Sequence, residues 1–191
     1  KGSFEDTSLF LYLTFEPGQK KEGLLSLMLK LPTLNLYQIV FWFAPDPVDK
    51  SPAMWIGAIQ GPSSDNAQEI IRQLTKNFHG YRTKNLILYA SQVLANVLGV
   101  SSIYAVSDDG YYANNHFRLD RKLKISLNDF WEEVGGAPSD DKRFYKLPLT
   151  ETRKSMEEIK SSKRSLYRKR FEALDSIRDT IEINLNNCLK I

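Results

Sequence analysis

Hydrophobic and polar positions along this chain change period once, and the change divides it. From residue 8 to residue 60 apolar residues come in short runs separated by turn residues. Ser8–Phe15 has one strongly apolar face and predicts a strand. Pro17–Gly23 is a turn, Leu24–Leu31 a second strand, and Pro32–Asn35 a second turn. Leu36–Ala44 is dense in β-branched and aromatic residues, Pro45–Pro52 is a rigid loop, and Met54–Gln60 makes a fourth strand. Four strands on short connections predict an antiparallel meander.

The period then becomes helical. Asp65-Asn66-Ala67-Gln68 resembles a capped helix start, and Ala67, Ile70, Ile71, Leu74 and Phe78 follow at helical spacing until His79-Gly80. A second helix runs over Lys84–Leu98, with Leu86, Tyr89, Ala90, Val93 and Val97 on one face and Gly99 as its cap. Val100–Ser107 is a short apolar strand, and a helix feeding such a strand favours a crossover onto the same sheet. His116–Ile125 predicts an edge strand. Asn128–Val134 predicts a short helix begun by Asn128, and Phe144–Leu149 a last strand. The tail from Thr150 to about Leu185 reads as helix, with Tyr167, Phe171, Leu174, Ile177, Ile181 and Leu185 on one face. The expected fold is α+β: an antiparallel meander sheet extended through a helical crossover, helices packed on the sheet, and a long C-terminal helix. One domain would cover residues 1–191, with an α+β core over 1–149 and a helical segment over 150–191.

Composition changes little in that picture. A chain of 191 residues that is 42% hydrophobic can build a core without staples, burying roughly 70% of its unfolded surface. The single cysteine, Cys188, excludes an internal disulfide and has no partners for a metal site, which favours a reducing compartment. No apolar run approaches the roughly 20 residues that span a bilayer, and no signal peptide is visible. A cytoplasmic protein, peripheral to the inner membrane, is the expectation.

Charge is informative by position. Residues 1–150 carry 16 basic and 16 acidic side chains; residues 151–191 carry ten and seven, supplying the whole net charge of +3. The basic residues concentrate in Lys160, Lys163, Arg164, Arg168, Lys169 and Arg170, with no acid among them. Such a patch could meet an anionic lipid surface; its bland counterpart is the solvated side of an amphipathic helix. Only Tyr167 interleaves with these cations, so no nucleic-acid partner is expected.

Candidate chemistry gathers at the junctions around residues 55–107. His79 and His116 are the two histidines and the candidate acid–base groups. Arg82 and Lys84 flank a helix start, where a cation opposes the dipole unless an anion is bound. Thr83 and Asn85 lie in the same segment, and Ile59, Gln60, Gly61 and Ser107 end the two strands that would border it. The bland alternatives are a helix-ending histidine, solvated loop charges, and glycines that admit a packed helix. Trp42, Trp55 and Trp131 could line an apolar groove but fit a core better. No nucleophile elbow, phosphate-binding Walker loop, dinucleotide fingerprint or zinc spacing is present, so no metal is expected.

At these residues the chain resembles the VirK family of Gram-negative bacteria. The matching pieces are Ile56-Gly57-Ala58-Ile59-Gln60-Gly61-Pro62, His79-Gly80-Tyr81-Arg82-Thr83-Lys84, Ala105-Val106-Ser107, Asn115-His116, Asp129–Gly136, Lys146-Leu147-Pro148 and Lys163–Arg170 with Leu174-Asp175, in that order. Asp108–Tyr112 departs from the pattern as an insertion. The resemblance implies a protein of unassigned biochemistry linked to virulence, envelope remodelling and resistance to cationic antimicrobial peptides. A second likeness is to the GCN5-related N-acyltransferases. There two parallel strands splay around an acyl-CoA thioester, and the pyrophosphate rests on the next helix start. Carried over, Met54–Gln60 and Ser102–Val106 would flank a CoA-type acyl donor, with Gly80–Lys84 as the phosphate loop. This chain departs by an extra helix before that loop and by the loop's single glycine. Two functions follow as expectations. One is an acyl- or aminoacyl-transferase with His79 as base and Arg82 and Lys84 as anion clamp. The other is a non-catalytic scaffold that engages anionic envelope lipid or a partner protein through the basic helix.

Overall fold

The computed structural model describes residues 8–62, 67–111 and 126–189. Strands β1 (Phe10–Phe15), β2 (Leu25–Leu31), β3 (Leu34–Pro45) and β4 (Pro52–Gln60) form the expected antiparallel meander. Helices α1 (Ala67–Asn77) and α2 (Thr83–Val97) then carry the chain to β5 (Ser102–Val106), which pairs parallel with β4. Helix α3 (Leu127–Glu133) and the short β6 (Ala137–Pro138) precede β7 (Phe144–Leu147), and α4 (Arg164–Leu189) closes the chain. The seven-stranded sheet has the order β1-β2-β3-β4-β5-β7-β6, so the fold is α+β with one parallel pair inside a mostly antiparallel sheet.

Alternation in the strands sorts their side chains onto two faces. Leu27, Leu29, Ile39, Phe41, Met54, Ile56 and Ile103 point toward the helices. α2 lies across them and is buried almost all round, because α4 covers its outer side through Leu174, Ile177, Ile181 and Leu185. The Tyr89 hydroxyl donates to the Leu174 carbonyl at 3.0 Å, fixing that crossing. Trp131 is fully buried in the same core, and its indole N–H donates to the Val106 carbonyl at 2.8 Å.

The opposite face holds Ser26, Gln38, Trp42, Trp55, Gln60 and Tyr104. Trp42, Trp55 and Tyr104 stack here at centroid separations of 6.1 and 4.4 Å, so two of the three tryptophans form a shelf on the sheet instead of core or a groove. Beside the shelf Asp46 accepts from Ser102 and Tyr104, tying the β3–β4 loop to β5.

Three local expectations change. The tail is not helical from Thr150. A 3-10 turn at Ser161–Lys163 leads into α4 at Arg164, because the buried Ile159 anchors the chain and its carbonyl accepts from Arg164 Nε. α3 is capped by Ser126, whose hydroxyl accepts from the Asp129 N–H. Asn128 Oδ1 instead accepts from the Asp108 N–H. The last strand stops at Leu147 and gains β6 as an edge partner. The expected edge strand at His116–Ile125 and the cap at Asp65-Asn66 lie outside the described residues.

Candidate functional site

The parallel ladder between β4 and β5 is short. It joins Ala53 to Ser102 through Ile56 to Ala105 and then stops. β4 continues to Gln60 along β3, while β5 pairs along its other edge with β7 from Ile103 to Val106. The cause is local: Val40 faces Ala58 and Phe41 faces Ile56, which leaves Gly57 as the extra residue of a β-bulge. A side chain at Gly57 would collide with the backbone of Glu22, so the glycine lets the β1–β2 loop settle on the bulge. The two parallel strands are therefore no longer paired beyond Ile56 and Ala105, one residue before β5 ends, while β4 runs on to Gln60.

The β1–β2 loop places a carboxylate beside the end of this ladder. Glu22 is only 4% exposed. One carboxylate oxygen accepts from Gln60 Nε2 at 3.1 Å, at the end of β4; the other accepts from the Tyr111 hydroxyl at 3.3 Å, beyond β5. Gln60 also donates to Gln19 at 3.1 Å, and Gln38 donates to Ser26 at 2.6 Å and to Glu16 at 3.3 Å, so the carboxylate belongs to a polar network on that face of the sheet.

On the helix side a cavity of about 530 Å³ lies between α1, the start of α2 and α3. Tyr37 forms one wall and also packs beside Gly61 at the end of β4. Ser126 forms another, and its hydroxyl donates to Asp108, two residues past β5. Through Tyr37 and Ser126 the cavity neighbours the ends of both strands, although no residue of either lines it. Arg72 and Lys76 of α1 line its exposed edge, with Arg72 paired to Glu69 at 3.2 Å; Arg82 and Lys84 line it from the N-terminus of α2, and Asp129 and Glu133 from α3. Arg82 pairs with Glu133 of α3, and both are about half exposed. Lys84 Nζ lies 3.7 Å from the centre of the Phe130 ring. Burial, with the Arg82 charge beside it, pulls Lys84 down to about 8. Thr83 has no solvent exposure, and its hydroxyl has no hydrogen-bond partner among the described residues. Asn85 Oδ1 is likewise buried without a partner there. Helix N-terminal N–H groups, the Thr83 hydroxyl and cations along one concavity suit an oxyanion such as a phosphate; Asn85 does not line it, and its Oδ1 is an acceptor.

The residues singled out in the sequence separate into three places. Ile59, Gln60, Gly61 and Ser107 end the parted strands, and Arg82, Thr83, Lys84 and Asn85 begin α2 beside them. His79 sits in the turn between α1 and α2 with a left-handed backbone (φ 52°), and its carbonyl accepts from Arg170 at 2.8 and 3.1 Å. His116 lies outside the described residues. Of the basic patch, Lys160, Lys163, Arg168 and Lys169 are exposed, whereas Arg164 and Arg170 are engaged with the Ile159 and His79 carbonyls. Glu22, Tyr111, Arg72, Lys76 and Glu133 join the site without having been marked in the sequence. Glu22 stands in a turn with no motif around it, and its partners are 38 and 89 residues away. Among the described residues no group of three or more His, Cys, Asp or Glu side chains is placed to hold a metal.

Comparison with known proteins is consistent in family and silent on chemistry. An uncharacterized protein of Haemophilus influenzae is 38% identical over 129 residues, covering 64% of this chain and 40% of its own length. The uncharacterized protein YbjX of Escherichia coli is 39% identical over 126 residues, covering 65% and 38%. The membrane protein LapB of Mannheimia haemolytica is 32% identical over 96 residues, covering 50% and 41%. The matched stretch thus spans about 40% of the length of these curated relatives. No solved structure matches the chain, so the second likeness, to the N-acyltransferases, has no structural neighbour behind it. The family match runs over residues 2–182, and the chain belongs to DUF535, a protein family of unknown function with relatives in Gram-negative bacteria.

Proposed function

We propose that this DUF535 protein is an acyl- or aminoacyl-transferase of the bacterial envelope that takes a phosphate-bearing, CoA-type donor. The observation that carries this is Thr83. Its buried hydroxyl, unpartnered among the described residues, stands at the start of a 15-residue helix, behind the wall of a cavity that four cations line and that neighbours the ends of β4 and β5. The donor's phosphates would lie against the α2 N–H groups, Thr83 and Lys84, with Arg82 leaving Glu133 to join them. The acyl carbonyl would lie between the parted strands, where backbone N–H groups beyond Ile56 polarise it. A membrane-proximal, cytoplasmic-face location fits the relative named as a membrane protein and the four exposed cations at the start of α4. No helix among the described residues is long and apolar enough to cross a membrane.

Isothermal titration with acetyl-CoA tests this reading. Saturable binding is expected, at least tenfold weaker in Lys84→Glu, with a rise in Tm that grows with ligand concentration. No heat and an unchanged Tm at millimolar acetyl-CoA would overturn it. A second reading, a lipid-contacting scaffold, is favoured by Lys160, Lys163, Arg168 and Lys169 standing exposed together. It requires sedimentation with phosphatidylglycerol vesicles that salt reverses and Lys163→Glu/Arg168→Glu abolishes.

A further inference from the structure

We propose that the outer edge of β1 pairs with β1 of a second copy of this chain, antiparallel about a two-fold axis at Leu13, joining two sheets into one. The inference does not depend on the transferase reading.

The sheet ends in β6 on one side and in β1 on the other. Unpaired N–H and C=O groups on an edge invite another strand, and an edge is blunted by being short or by carrying proline or charge. β6 is two residues long, and one of them is Pro138. β1 has six residues, Phe-Leu-Tyr-Leu-Thr-Phe, with neither proline nor charge among them. Its side chains are left in solvent: Leu13 is 47% and Phe15 62% exposed, with Phe10 and Tyr12 exposed beside them. Among the described residues nothing pairs beyond β1.

The phase of the ladder fixes which backbone groups are offered. The Glu16 N–H donates to the Leu24 carbonyl at 3.0 Å, one step beyond the Phe15–Leu25 pair. Bonding alternates along an antiparallel strand, so Thr14, Tyr12 and Phe10 also bond toward β2. Leu11, Leu13 and Phe15 therefore turn their N–H and C=O groups outward.

That row is its own complement. A two-fold axis normal to the sheet keeps like faces together, so only residues of the same face can be opposed. With the axis at Leu13, Leu13 meets Leu13 and Leu11 meets Phe15, and each outward residue exchanges both of its bonds. An axis at Tyr12 would instead set Phe15 against Leu9, outside the strand. On the helix face, where Leu11 and Leu13 lie beside Leu29 and Leu27, the new pairs are wholly apolar. On the other face Tyr12 meets Thr14 and Phe10 meets Glu16, so no like charges are opposed. Leu11 and Leu13 also line an open cavity of about 470 Å³ whose other walls come from β2, α2 and α4. Phe15 of the second copy, opposite Leu11, comes to the mouth of that cavity and loses its exposure, which favours association.

Sedimentation of the chain between about 1 and 100 µM tests this, and a reversible monomer–dimer equilibrium is expected. Leu13→Lys opposes two ammonium groups at the axis and should weaken dimerisation at least tenfold. Phe15→Lys alters a side chain that is already exposed, so folding is not at risk, and should act in the same direction; a circular dichroism spectrum like that of wild type checks both variants. Crosslinking reads the register, in a Cys188→Ser background that removes the exposed native thiol. Leu13→Cys should give a disulfide-linked dimer on mild oxidation, because hydrogen-bonded antiparallel partners stand about 5.5 Å apart at Cα, within disulfide reach. Tyr12→Cys lies diagonally from its own copy and should not. A wild-type chain that stays monomeric throughout the range would overturn the proposal, as it would if another stretch of the same chain covered β1. So would a dimer undiminished in both lysine variants, or crosslinking through Tyr12→Cys in place of Leu13→Cys.

Discussion

Single residues at the two ends of the β4–β5 pair do opposite work. At the paired end Asp46 is held down to about 2 from an ordinary 3.8, by the Ser102 hydroxyl first and then by the Val48 N–H, Tyr104 and Lys146. A carboxylate depressed by folding contributes stability that is full above the unfolded value and fades as pH falls toward the folded one. Tm should therefore drop between about pH 4 and pH 2, and Asp46→Asn should be less stable at neutral pH with a flatter acid limb, as calorimetry across that range would show. At the parted end Gly57 yields its space to Glu22, and Gly57→Ala forces that backbone away. Overpacking of this kind costs about 1–3 kcal/mol, read as a lower denaturant midpoint. The same displacement moves Glu22 from Gln60, so the hydrogen bond that ties the β1–β2 loop to the end of β4 should weaken with it.

Among the elements, those defined by local periodicity were legible in the sequence. The meander, both crossover helices and the apolar face of α4 follow from spacing that neighbours on the chain dictate. Leu174 is the clearest case: its position on the Tyr167–Leu185 stripe predicts burial, and it is 1% exposed against α2. Leu174→Ala should cost about 2–5 kcal/mol by thermal unfolding, through the cavity it leaves. What spacing could not supply was contact across distant segments. Nothing around Glu22 distinguishes it from a solvated turn residue, because its burial comes from a bulge some 35 residues later. Arg72 and Lys76 read as an exposed helix face and are exposed, but spacing could not show that the start of α2 makes a cavity beside them. Thr83 stands out in the sequence by its place near a helix start, yet a hydroxyl without a partner among the described residues is a property of the packed state. It yields a test in which stability and binding move apart. Thr83→Val removes a buried orphan and should gain about 1 kcal/mol, while acetyl-CoA affinity falls.

At the scale of the whole molecule, charge and sheet geometry are coupled through Lys84. The ammonium lies on the Phe130 ring, pulled down to about 8 by burial and by Arg82, and faces a cavity with more cations than acids. A lysine whose folded value lies below its unfolded 10.5 is bound by more protons in the unfolded chain over that interval. Its contribution to stability therefore rises as pH climbs from about 8 toward 10.5. A bound phosphate does the reverse, because it favours the charged ammonium and donor binding then takes up a proton above pH 8. The two trends must oppose each other. Referenced to Lys84→Met, the ligand-free protein should gain relative stability with alkaline pH while its acetyl-CoA affinity falls, and the variant should show neither slope. If affinity proved independent of pH while the stability trend was present, Lys84 would be a buried cation that no phosphate touches, and the donor would have to be placed elsewhere on the parted strands.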